Sequence, residues 1–219
     1  MDKPIDELKF GNMSQESLYW LNKATYLDKH FATLTTFTFP ANSSDTTQKE
    51  LNKIIDAVNV IKENKELLAR YQEFDRKSFR FFRELIEGLP MIENKDEFNN
   101  MLSAIIVDAS PVIYKLKEFH QRPRPFQLAA AYKVRLHPFK TMSQDCASYP
   151  SASVYFARII CEVIGNRSPD MYGTMQILFR DICSSRLGLG LNYQSDIDVA
   201  ICAADKMLED QEFKVKFKL

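Results

Sequence analysis

Apolar residues in this 219-residue chain recur at three- and four-residue intervals, only six residues are glycine, and no stretch alternates apolar and polar residues convincingly. That spacing belongs to helices that each bury one face, and it leaves little material for a sheet. The expectation is an all-α fold, a single helical bundle domain over 1–219, with about eight to ten helices and no internal repeat or linker. A chain 45% hydrophobic can bury one sizeable core.

The helices are read in order. The first runs from about Gln15 to Leu34, with Leu18, Leu21, Leu27 and Phe31 on one stripe. Thr47 and Glu50 read as a capping box, followed by a helix burying Leu51, Ile54, Ile55, Val58 and Ile61. A third spans Lys65 to Glu87 and ends at Gly88 and Pro90. Its stripe of Leu68, Tyr71, Phe74, Phe79, Phe82 and Ile86 reads as core packing rather than as a ligand wall. Asn94, with Glu97, caps a fourth helix carrying Phe98, Leu102, Ile105 and Ile106. Ser110-Pro111 begins a fifth, which stops at Arg122-Pro-Arg124-Pro125 because proline lacks the helical donor. Residues 126–149 read as loop with a short helix. One helix then runs from Pro150 to about Gly165, and another from Ser168-Pro169 to Ser185. A turn follows at Gly188 and Gly190, and Ser195 or Asp196 caps the last helix, through Met207.

Charge narrows the partners. With 29 basic and 29 acidic residues the net charge is zero, which argues against nucleic acid and against an anionic membrane surface. Any anion site must be a local cluster of cations. No apolar run approaches the ~20 residues of a membrane span. The segment Met1 to Glu7 is polar and acidic, unlike a signal peptide. The expected compartment is cytoplasmic, or periplasmic if a leader has been removed. Cys146, Cys161, Cys183 and Cys202 lack metal-ligand spacing and read as buried thiols, so no metal is expected.

Three short pieces carry chemistry. Lys117 and Arg124 are seven apart, two helical turns, so both can share a face. Ser151 opens a helix whose first-turn N–H groups and dipole attract an anion. Arg186 ends a helix beside glycines that permit close backbone approach. Were these to converge, three cations would repel one another unless an anion or acidic side chains neutralised them, and a tetrahedral oxyanion is the natural occupant.

These pieces resemble the three-part signature of the type 2 phosphatidic acid phosphatase superfamily. They are most similar to the soluble class A bacterial acid phosphatases and more distantly to the vanadium haloperoxidases. The first piece is Lys117 with Arg124-Pro125, the second Pro150-Ser151, and the third Ser185-Arg186 with Asp196 at the required spacing. Phe126, Ser148-Tyr149 and Tyr193-Gln-Ser-Asp-Ile-Asp198 extend the class A likeness. It covers about 111–210, with a looser match at Pro40 to Ser44.

The resemblance implies an all-helical fold and an anion cradle of Lys117, Arg124, Ser151, Ala152 and Arg186. The chain departs from the family at decisive positions. Asn192 stands where the family has its nucleophilic histidine, and Ser153 where it has the acidic histidine. Ala152 replaces the glycine before that acid. Asp196 keeps the place of the residue that orients the nucleophile. An amide nitrogen has a delocalised lone pair and a serine hydroxyl is no acid near neutrality, so ordinary phosphatase activity is not expected. His120, close to Lys117 and Arg124, is the candidate substitute, with His137 behind it.

The expectation is therefore a phosphatase-like binder of a phosphate-like or otherwise anionic small molecule. Alternatives are a repurposed enzyme performing cyclisation, elimination or isomerisation in the same pocket, and a weak acid phosphatase using His120. Vanadate is not expected as a cofactor, because the resemblance places its anchor at Asn192, and no other cofactor is implied. Whether the chain forms a homo-oligomer stays open.

Overall fold

A computed structural model describes residues 4–88, 92 and 94–219, with only the backbone described at 77–79. Residues 1–3 of the polar N-terminal stretch, Pro90 and the Phe79 side chain, all used in the sequence reading, lie outside the described residues. Among the described residues there are ten α-helices and no strand. They are α1 Gln15–Leu21, α2 Phe31–Leu34, α3 Asp45–Glu63, α4 Lys65–Glu87, α5 Lys95–His120, α6 Pro125–Ala131, α7 Ala152–Arg167, α8 Tyr172–Gly188, α9 Gln194–Glu209 and α10 Gln211–Phe217.

The core is built around α7. Val154, Tyr155, Ile159, Ile160, Val163 and Ile164 are each fully buried, so this helix is apolar nearly all round. Only a central helix can satisfy that pattern. It packs against α8 and α9, with α5 alongside. A smaller cluster joins Leu51, Ile54 and Val58 of α3 to Leu128 and Ala129 of α6 and to Tyr193. Helix α8 lies against α3 and α4 at Gly188, where an added Cβ would sit 2.8 Å from Ile61 Cγ1 and 3.0 Å from the Tyr71 ring. Gly190 takes φ +74°, a conformation that favours glycine, and lets the chain turn back from α8. No described helix is long and apolar enough to cross a membrane.

The helical reading holds in class, and several boundaries are corrected. The single helix expected from Gln15 to Leu34 is broken. Thr25 caps a 3-10 turn at Tyr26–His30, with its own N–H donating to Asp28, and α2 follows. Leu18 consequently faces out, 45% exposed. The cap of α3 lies three residues before the expected one. Ser44 Oγ accepts from Thr47 N, and Thr47 Oγ1 donates to Ala41 O, so Glu50 is left without a capping role.

Pro111 does not start a helix, because α5 runs through it. The proline forgoes one bond to the Val107 carbonyl, and Ala109, Val112 and Ile113, all fully buried, hold the helix together by packing. α9 is not the last helix. Asp210 caps α10 by accepting from Phe213 N, and the buried Phe213 and Phe217 seat it on the core. The four thiols are free, but only Cys161 is buried outright, and Cys202 is exposed.

Candidate functional site

Helix α5 ends at His120, and Gln121 adopts a left-handed conformation (φ 50°), so Lys117 and Arg124 do not share a helical face as the spacing implied. Arg124 instead sits in the extended segment before α6. The two side chains still meet at one place, because both reach the 146–147 backbone. Lys117 Nζ donates to Ala147 O at 2.6 Å, and Arg124 Nε donates to Cys146 O at 2.8 Å. Arg124 also donates to the carbonyls of Leu191 and Ser143. Neither cation has a carboxylate within ion-pair distance among the described residues. Burial, with the Arg124 charge adding to it, pulls the Lys117 ammonium down to about 8.

Backbone bonds gather the remaining pieces. Ser148 N donates to Arg122 O, Ser151 N to Asp196 O, and both Leu191 N and Asn192 N to Arg186 O. The end of α5, the start of α7 and the α8–α9 turn are thus laced together. Ser151 is the N-cap residue of α7, but its side chain caps none of the first-turn amides. Its Oγ lies 3.4 Å from Asn192 Oδ1.

Together these residues form the floor of a cavity of about 710 Å³. Lys117, Arg124, Ser151 and Asn192, each 3% exposed or less, lie at its buried end, with Ala152 and Ser153 beside them. Asn12, Met13, Gln15, Glu16 and Asp145 form an exposed rim. Phe74, Phe81 and Phe82 of α4 stand in the wall. The aromatic stripe of α4 is therefore core and cavity wall at once, since Phe74 and Phe82 are also part of the buried core.

Arg186 takes a different place from the one expected. It is fully buried, does not line the cavity, and is neutralised by Asp75 of α4, with Nη1 to Oδ1 at 2.9 Å. Burial alone would raise the Asp75 carboxyl, but the Arg186 charge and hydrogen bonds from Ser143 and Met142 N hold it below the ordinary range. Arg186 Nη1 also donates to Ser153 Oγ at 3.2 Å, so Arg186 orders the cavity wall from behind.

Asp196 is likewise committed. It accepts from Arg122 Nη1 at 2.7 Å, Tyr193 N at 2.9 Å, Asn192 Nδ2 at 3.2 Å and Ser148 Oγ. Arg122, fully buried, lies over the Tyr193 ring at 3.9 Å and also reaches Glu50 and Ser195 Oγ. Asn192 donates its second N–H to Ser148 O at 2.7 Å. Its amide group is thus fixed as a donor to the protein, with only the oxygen turned toward Ser151.

His120 lies outside the cavity lining. Its ring packs against Phe39, Phe119 and Tyr149, its Nε2 is buried without a hydrogen-bond partner among the described residues, and burial lowers its pKa to about 4. A base that reaches no cavity surface cannot act on an occupant, so its position argues against the substitute role. His137 is exposed and is paired with Arg135.

Asp75, Arg122 and Glu50 were not expected at the site. Asp75 was findable, since it is a lone carboxylate on the stripe of Tyr71, Phe74, Phe82 and Ile86. Among the described residues no three His, Cys, Asp or Glu side chains converge as metal ligands. No protein-family model and no curated protein matches the chain.

Proposed function

We propose that this chain is a relative of the type 2 phosphatidic acid phosphatase superfamily in which both catalytic histidines are replaced. In this reading it holds a phosphate-like anion on the cavity floor and does not hydrolyse phosphomonoesters through a phosphohistidine. The observation that carries the reading is the charge left over. Arg186 and Arg122 are neutralised by Asp75 and Asp196, whereas Lys117 and Arg124 line the buried end of the cavity with no carboxylate at ion-pair distance among the described residues. Two buried cations without a direct ion-pair partner are costly, and a bound oxyanion relieves that cost. The uncapped first turn of α7 beside them adds backbone donors and the positive end of a helix dipole.

The same residues explain the missing chemistry. Asn192 offers no nucleophilic lone pair, and both of its N–H groups are already engaged. Ser153 has an alcohol in place of an acid, and its oxygen accepts from Arg186. What remains can bind and orient an anion, and neither Asn192 nor Ser153 can supply the attack on phosphorus or the proton for a leaving oxygen that the resemblance assigns to those two positions.

Calorimetric titration with inorganic phosphate at pH 6.5 tests the proposal, run beside a turnover assay with 4-nitrophenyl phosphate. Wild type should bind phosphate saturably, folded Arg124→Gln should bind roughly tenfold more weakly or worse, and turnover should stay at background. Absence of saturable binding, or equal binding by the variant, would refute the anion site. Rapid turnover would refute the loss of chemistry.

A further inference from the structure

The cavity is far larger than its cationic floor requires. At about 710 Å³ it falls within the range of pockets that hold drug-sized molecules. A free tetrahedral oxyanion displaces only a few waters of about 30 Å³ each and would leave most of this space unfilled. The remaining lining has a definite character. Phe74, Phe81 and Phe82 from α4, Phe156 from α7, and Phe10 and Met13 from the N-terminal segment all face it. Phe74 and Phe81 meet edge-on at 5.1 Å, and Phe81 and Phe82 at 5.8 Å, so successive rings are locked at steep angles to one another. A wall of this kind offers ring edges and faces to a further apolar or aromatic group.

The rings and the cations lie at similar depth, since Phe74, Phe82 and Phe156 are buried as Lys117 and Arg124 are, whereas Asn12, Gln15, Glu16 and Asp145 are exposed. An occupant that satisfies the whole cavity carries its charge at one end and an apolar body next to it.

We infer that the ligand is an organic phosphate-type anion whose body is an aromatic or comparably bulky apolar group, with the anion on Lys117 and Arg124 and the body against the α4 rings. The inference rests on the anion-binding reading above and adds the chemical class of the attached group.

A graded series of non-hydrolysable probes separates the two claims. Methylphosphonate, phenylphosphonate and 1-naphthylphosphonate are titrated calorimetrically at pH 7.5, with 1-naphthol as the neutral control. Affinity should rise along the series, with 1-naphthylphosphonate roughly tenfold or more tighter than methylphosphonate, and 1-naphthol should not bind measurably. Phe81→Ala should narrow the spread, read as the ratio of 1-naphthylphosphonate to methylphosphonate affinity within the folded variant. Met13→Ser, at a 42% exposed rim position, should narrow it to a smaller degree. Equal affinity for all three phosphonates would overturn this inference and leave the anion site standing. Binding of 1-naphthol as tight as that of 1-naphthylphosphonate, or no binding of any phosphonate, would overturn both.

Discussion

Replacing Lys117 with methionine separates what the site costs the empty protein from what it contributes to a bound one. Lys117 is 3% exposed, and its pKa is lowered to about 8, chiefly by burial and further by Arg124, from 10.5. A tenfold loss of proton affinity is worth ~1.4 kcal/mol, so keeping this ammonium charged opposes folding by roughly 3 kcal/mol. A lysine whose pKa is lower in the folded state binds its proton less tightly there than in the unfolded chain. The penalty is therefore present in full below pH 8 and fades as pH rises from 8 to 10.5.

Methionine is similar in length and carries no charge. It removes the penalty but strands the Ala147 carbonyl, at a cost of about 1–3 kcal/mol. The variant should therefore be between equal in stability and roughly 2 kcal/mol more stable at pH 6.5 without anion, a rise of about 2–4 °C per kcal/mol for a chain of this size. Sulfate should stabilise wild type and not the variant, and the wild-type effect should shrink as pH rises from 7 to 9. Sulfate also stabilises proteins by exclusion from their surfaces, so the quantity compared is wild type minus variant, with chloride at matched ionic strength. Differential scanning calorimetry at pH 6.5 and 9 reads all of this. Strong destabilisation of the anion-free variant at pH 6.5, or equal sulfate responses, would refute the account.

Asp75→Asn removes the charge that neutralises fully buried Arg186, and chemical denaturation should show a loss of roughly 3–5 kcal/mol; a loss below about 1 kcal/mol would show that the pair is not holding this wall. The combination Ala152→Gly, Ser153→His and Asn192→His should give measurable hydrolysis of 4-nitrophenyl phosphate, since Asp196 already stands 3.2 Å from the residue-192 side chain; a folded variant at background would refute that expectation. His120→Phe should flatten acid sensitivity. A ring with pKa about 4 in the fold against 6.5 outside it weakens the native state as pH falls between those values, and phenylalanine suits its aromatic neighbours. Urea midpoints at pH 7 and 4.5 that fall equally in both proteins would count against it.

Helical periodicity made the class of fold legible, because the buried faces of α3, α4, α7 and α9 are written as apolar residues three and four apart. Boundaries were less legible where two signals competed. Thr47-x-x-Glu50 has the form of a capping box, yet Ser44 supplies the cap, and Glu50 accepts from Ser195 N and Oγ instead. Pro111 carries a start signal that burial on both sides overrides.

Of the nine residues named for the site, Lys117, Arg124, Ser151, Ala152, Ser153 and Asn192 line the cavity, while Arg186 and Asp196 support it from behind. Local spacing could not show which arginine of Arg122-Pro-Arg124 would line the cavity and which would neutralise Asp196, because tertiary contact decides it. His120 illustrates the same limit. Its closeness in sequence to Lys117 and Arg124 could not reveal that the helix turns its ring into the Phe39, Phe119 and Tyr149 cluster.

The pairing of Asp75 with Arg186 and of Asp196 with Arg122 sets a charge stoichiometry. Arg122 has a second carboxylate in Glu50, behind the floor, and Lys117 and Arg124 are the floor cations with no carboxylate at ion-pair distance among the described residues. A phosphate monoester above its second ionisation, near pH 6, carries a matching charge of two. A diester carries one, and leaves a buried cation without a counter-charge. On the proposed function, the floor thus discriminates by valence as well as by shape. Phenylphosphonate should bind roughly tenfold or more tightly than its monomethyl ester at pH 7.5, and equal affinities by calorimetry would show that the second charge is not sensed.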